Sequence, residues 1–165
     1  VDSTISESSG LTILPSSEDS ILRKYVENED KFNLTKNELV IQNKMFYSPI
    51  KGDITQSFNF EENHFAVDIS ADVGTPVKSI LDGKILFSEW SVDTGHVIII
   101  DHGDNIISVY KHNSKLLKEQ NDYVQAGEVI AYSGNQGNLS SGPHLHFELW
   151  NNGTPIDPEP LLNFQ

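Results

Sequence analysis

Beyond residue 40 the apolar runs of this sequence are short, and Gly, Asp, Asn and Pro cut them apart at close intervals: LVIQ, TPVKSI, GKILFS, HVIIID, NIISVY, EVIAYS and HLHFELW. Most are rich in β-branched or aromatic residues, and none reaches the ~10–12 residues of an ordinary helix. Turn signals stand between them at Gly74-Thr75-Pro76, Leu81-Asp82-Gly83, His102-Gly103-Asp104 and Gly134 to Gly137. Parallel neighbours need a crossover of about a dozen residues, usually helical, and no such segment separates the runs. The pattern predicts a mainly β, antiparallel, sandwich-like architecture without internal repeats.

The first 40 residues read differently. Residues 1–16 are Ser-rich, with Pro15 breaking any regular pattern, and predict a flexible lead-in. Ser16 and Asp19 have capping-box spacing, and Ile21, Leu22, Tyr25 and Val26 recur at helical intervals. A short N-terminal helix over roughly 17–30 follows, so residues 17–45 form a helix and connecting segment and 46–165 a single domain. The helix is expected to pack on the domain or on an upstream segment rather than to dock a partner. The chain opens with VDSTISESSG, which has neither a basic nor an apolar leader region. No stretch approaches the ~20 apolar residues of a membrane span. The expectation is a monomeric, soluble fragment whose targeting or anchoring segment, if it has one, lies upstream and would supply a membrane anchor or a partner contact.

Charge removes one class of function. The chain carries 11 Lys+Arg against 24 Asp+Glu, a net charge of -13. Residues 51–165 alone hold 16 acids and 6 bases, a net of -10, so the acidity belongs to the globular part. Nucleic-acid binding normally rests on a basic footprint that releases counterions; none is present. Cysteine is absent, which leaves His, Asp and Glu as the tight metal ligands available.

The histidines are unevenly placed. In PHLHFELW the strand period puts His144, His146, Glu148 and Trp150 on one face and Leu145, Phe147 and Leu149 on the other. Imidazole is the commonest metal ligand near neutral pH, and one histidine of such a pair can bind metal while the other faces the open position. Spacing does not say which. His64 and Asp68 stand four apart in HFAVDIS; in a straight strand their Cα atoms would lie roughly 13 Å apart, so joint ligation requires the segment to bend. His112 follows NIISVY in YKHN. His102 reads as a hydrogen-bonding turn residue and His96 as an exposed or structural one. Glu148, on the histidine face, fits either an orienting partner for an imidazole or a structural hydrogen bond. Trp90 and Trp150 are expected to pack rather than to line a glycan site.

Taken together, HFAVDIS, YKHN and SGPHLHFELW resemble the H-x-x-x-D, Y-x-H and H-x-H segments of the lysostaphin/LytM-type zinc endopeptidases of peptidoglycan. The likeness extends from about residue 46 to 162, through Gly74-Thr75-Pro76-Val77, Asp82-Gly83, Val97 to Gly103, Gly127 and Asn152-Gly153-Thr154-Pro155-Ile156-Asp157-Pro158. It implies zinc held by His64, Asp68 and His146, and a catalytic pair of His112 and His144. Three protein ligands leave a fourth position open, the mark of a catalytic zinc that activates water, and with Asp68 as the anionic ligand the site keeps a net charge of +1. The resemblance further implies a peptidoglycan peptide as substrate and a place in the extracytoplasmic cell envelope, periplasmic or membrane-anchored. It allows a second role, because some relatives lose zinc ligands: a non-enzymatic binding or activator module that regulates cell-wall hydrolases. Ala66 stands where the family usually has Gly, and Lys111 and Asn113 flank His112 where smaller or apolar residues are usual.

Overall fold

The computed structural model describes residues 40–137 and 142–165. The expected lead-in and N-terminal helix lie outside them. Ten strands follow one another: β1 (Ile54–Gln56), β2 (Val67–Ser70), β3 (Pro76–Lys78), β4 (Gly83–Ser91), β5 (Gly95–Asp101), β6 (Ile106–Leu116), β7 (Tyr123–Val124), β8 (Val129–Ser133), β9 (His144–Asn151) and β10 (Thr154–Ile156). Every pairing between them is antiparallel. The main path runs β1-β2-β9-β6-β5-β4-β7, with β10 on β9 and β3 on β8. The run LVIQ departs from the strand expectation, since Val40 to Gln42 form one helical turn. Ile41 is buried there without the alternation a strand would need, so burial of one side chain overrides β propensity.

The branch point of the sheet is β6. Along one side it pairs β5; along the other it pairs β9 through Ile106–Lys111, then β8 through Asn113–Leu116. The change of neighbour falls at His112, whose φ of 67° lies in the left-handed region, an uncommon conformation for a bulky side chain. Asn113, fully buried, donates its side-chain amide to the carbonyls of Tyr110 (3.0 Å) and His96 (3.1 Å) and holds the break in place.

The inner face is apolar by alternation. Leu145, Phe147 and Leu149 from β9, Val67 and Ile69 from β2, and Ile98 and Ile100 from β5 are each 0 % exposed, and the Tyr110 and Phe147 rings meet at 5.3 Å. Each such side chain contributes about 1.5–3 kcal/mol on burial. One polar chain crosses this core. The Ile80 N–H donates to the Tyr110 hydroxyl, which bonds Ser108 Oγ, which bonds His102 Nε2 at 2.7 Å. His102 Nδ1–H ends the chain by donating to the Asp82 carbonyl at 2.9 Å. The turn histidine is thus tied to the core, away from the remaining histidines. Trp90, expected to pack, is 56 % exposed.

Candidate metal centre

The outer face of the same strands gathers the chemistry. Asp68 on β2 is the cross-strand partner of His146 on β9, and Ser70 that of His144. Lys111 on β6 stands opposite His146 from the other side. Asp68, His146 and Lys111 therefore form one row across three strands. His64 precedes β2, tied to Asn59 by an isolated bridge, and β2 begins only at Val67. That bend brings His64 Nε2 to 3.3 Å from Asp68 Oδ2, where a straight strand would have kept them apart. His64 Nδ1 lies 2.8 Å from the Ser57 carbonyl and donates to it.

One ligand atom each from His64, Asp68 and His146 lies within 4.8 Å of the others. Two observations fit this group to a metal. His64 Nε2 is buried and makes no hydrogen bond, although a carboxylate stands close by. His146 presents Nδ1, 2.9 Å from Asp68 Oδ1, towards the same point. Two imidazoles and a carboxylate converging without a thiolate suit a borderline divalent cation such as zinc.

His112 and His144 flank the trio, with ring centroids 5.0 Å apart and the His112 ring 5.8 Å from that of His146. His112 Nδ1–H donates to the Gln136 carbonyl at 2.8 Å, and His144 Nδ1–H to the Gly142 carbonyl at 2.6 Å. In each ring the remaining nitrogen, Nε2, is then the basic one; that of His144 stands 3.8 Å from Asp68 Oδ1. The backbone N–H of His112 donates to the Thr94 carbonyl at 3.0 Å. His112 is thus gripped by two loops, residues 92–95 and 134–137. All five residues border a cleft of about 220 Å³, to which Gln56, Thr94 and Lys111 add polar walls.

The local electrostatics follow from burial and pairing. Burial disfavours ionised Asp68, but the His146 hydrogen bond and the charges of His146, His144 and His64 outweigh it and hold the carboxyl below its usual range. Burial likewise opposes protonation of His146, yet hydrogen bonds to Asp68 and Glu148, with their charges, raise its pKa. Burial pushes His112 down, helped by His144 and His146 and only partly offset by the Gln136 carbonyl, so that ring is neutral at pH 7. Glu148 is held at about 2: burial acts against it, but His146, Lys111 and Trp150 all bond to its carboxylate.

The five expected site residues come together, while His96 and His102 stand elsewhere. Sequence reasoning missed the carbonyls of Ser57, Thr94, Gln136 and Gly142, because backbone acceptors carry no residue signature. It also missed Lys111 as a partner of Glu148, which only the β6–β9 register could have shown.

A mainly antiparallel β-sheet with a His/Asp cluster at the floor of an open cleft defines a β protein with a candidate metal-dependent hydrolytic site. The model of peptidase family M23 matches residues 62–158, and the chain belongs to that family. It is similar to the catalytic domain of the antimicrobial peptidase lysostaphin from Staphylococcus simulans, at 36% identity and a TM-score of 0.55 over 71% of this chain and 88% of that one. A zinc-containing peptidase from Vibrio cholerae superposes with a TM-score of 0.65 at 30% identity, over 69% of this chain and 39% of that one. The murein hydrolase activator EnvC of Escherichia coli is 35% identical over 94 residues, 57% of this chain and 22% of that protein. The chain spans less than a third of the length of these curated relatives, 21% of lysostaphin from Staphylococcus simulans and 22% of EnvC.

Proposed function

We propose that the chain is a zinc-dependent endopeptidase hydrolysing peptide bonds of bacterial peptidoglycan in the extracytoplasmic cell envelope. The observation that carries the reading is the convergence of His64 Nε2, Asp68 and His146 Nδ1 on one point in an open cleft, with His112 and His144 beside it. Zinc bound there would supply a Lewis acid and lower the pKa of water at its open position. The remaining work falls to this chain's residues. His112, neutral and fixed through Nδ1, and His144, fixed the same way, each offer a basic Nε2. One Nε2 takes the proton that water releases as it attacks, and that same proton passes to the leaving amine as the peptide bond breaks, so the pair ends as it began. Thr94 and Gln56 offer polar contacts for the substrate backbone along the cleft wall.

The test is zinc content after reconstitution, with turnover of purified cross-linked wall and mass analysis of the released fragments. One zinc per chain and cleaved stem or bridge peptides are expected. His64→Ala and His146→Ala should lose both metal and turnover, since either leaves two protein ligands. Less than about a tenth of an equivalent of zinc in the wild type overturns the reading.

The similarity to EnvC supports a second reading, a non-enzymatic activator of wall hydrolases. The complete set of His64, Asp68, His146, His112 and His144 supports the enzyme. Stoichiometric zinc without any wall cleavage, together with stimulation of a second hydrolase, would favour the activator.

A further inference from the structure

We propose that Glu148, backed by Lys111 and Trp150, is the positioning residue that fixes the tautomer and ring orientation of His146. The inference rests on the reading that His64, Asp68 and His146 hold zinc. Alternation along β9 places His146, Glu148 and Trp150 on one face. Glu148 is only 8 % exposed, and both of its oxygens are engaged. Oε2 lies 2.9 Å from His146 Nε2 and 2.8 Å from Lys111 Nζ; Oε1 accepts the Trp150 Nε1–H at 2.9 Å. Three donors from two strands converge on one carboxylate.

An ionised carboxylate only accepts hydrogen bonds. Both His146 nitrogens face a carboxylate, Nε2 that of Glu148 and Nδ1 that of Asp68; when a metal takes the place of the Nδ1 proton, Glu148 keeps the other proton on Nε2 and leaves Nδ1 as the ligating atom. Turning the ring over would set a C–H against Glu148 and aim the wrong edge at the cluster. Lys111, cross-strand from His146, and Trp150 fix Glu148 in turn, so the imidazole is locked from behind. This gives Lys111, which departs from the family's usual smaller or apolar residue, a definite task. The partner of a metal-binding imidazole typically controls 10–100-fold in metal affinity.

Zinc affinity measured by competition with a chelator tests the proposal, alongside the ring-nitrogen NMR shifts of His146 in the zinc-loaded protein. Glu148→Gln, nearly isosteric, should fold as the wild type and weaken zinc by about 10-fold, and Glu148→Leu by about 100-fold. Lys111→Met should lose affinity in the same direction to a smaller extent. Lys118→Met, which removes a pair with Glu128 that belongs neither to the cluster nor to the cleft wall, should leave affinity unchanged. The His146 signals should show a hydrogen-bonded Nε2–H in the wild type and its loss or marked shift in Glu148→Gln. Wild-type zinc affinity and unshifted His146 signals in Glu148→Gln would overturn the positioning role while leaving the zinc site intact. A wild-type protein that binds no zinc would overturn both.

Discussion

Replacing Gly137 by Ala should silence His112 without touching the metal. Gly137 has φ 98°, and a Cβ there would stand 2.5 Å from the Asp93 carbonyl oxygen, 2.6 Å from the Thr94 carbonyl carbon and 2.7 Å from the Gly95 nitrogen. All three are backbone atoms that cannot rotate aside. Carbon contacts relax at about 3.5–4.0 Å, so the loops 92–95 and 134–137 must part by about 1 Å. Each holds His112, one through the Thr94 carbonyl and the other through that of Gln136, and both bonds cannot survive. A misplacement of this size costs about 100-fold in turnover. Left-handed φ on an L-residue adds about 1–3 kcal/mol of instability. His64, Asp68 and His146 sit on or beside β2 and β9, so zinc content should stay stoichiometric. Gly153→Ala is the control: its φ is 76° and a Cβ there would meet nothing within 4 Å. It should cost about 1 kcal/mol of stability and leave turnover alone. Elemental analysis, thermal unfolding and wall digestion on the same samples decide the matter. Turnover within about threefold of wild type in Gly137→Ala, or lost zinc, would refute the claim that two loops aim His112.

His112→Ala and His144→Ala should each keep near-stoichiometric zinc while losing at least ~100-fold in turnover; zinc lost from His144→Ala but kept by His146→Ala would invert the pair's roles. Tyr110→Phe removes a hydroxyl that serves Ile80 and Ser108 in the core, and urea unfolding should show a loss of about 1–3 kcal/mol. Burial holds His102 below its ordinary 6.5, so the unfolded chain binds that proton at higher pH than the native one. The contribution of neutral His102 is complete above 6.5 and fades as pH falls below it. Between about pH 7 and pH 5 the wild type should therefore lose more stability than His102→Gln; parallel pH profiles would contradict this.

What the sequence disclosed depended on whether the signal was local. HLHFELW disclosed its two faces because alternation is written in the residues themselves, and Leu145, Phe147 and Leu149 are indeed fully buried. The bend between His64 and Asp68 followed from the distance a straight strand would impose. The five site residues emerged from the resemblance, and their convergence depends on pairings such as Asp68 with His146, seventy-eight positions apart, which periodicity cannot express. The short strands Ile54–Gln56, Tyr123–Val124 and Thr154–Ile156 are too brief to stand out from their turns. β6 was legible only to Tyr110, since Lys111 to Leu116 lack apolar alternation and the strand continues there because β8 replaces β9 at its edge.

The place of β9 has a consequence for how the molecule comes into being. Among the described residues it is the last long strand in chain order, yet it lies between β2 and β6 in the sheet. Until residues 144–151 are available, β2 has only the three-residue β1 for a neighbour, and β6 has an open edge beside Ile106–Lys111. Such an edge invites pairing with other chains, and closing contacts of this sequence separation makes assembly slow. His146 arrives on that same strand, so a chain still short of residue 146 lacks the complete set of converging donors. Assembly of the three donors and closure of the sheet thus become one event, which waits for β9.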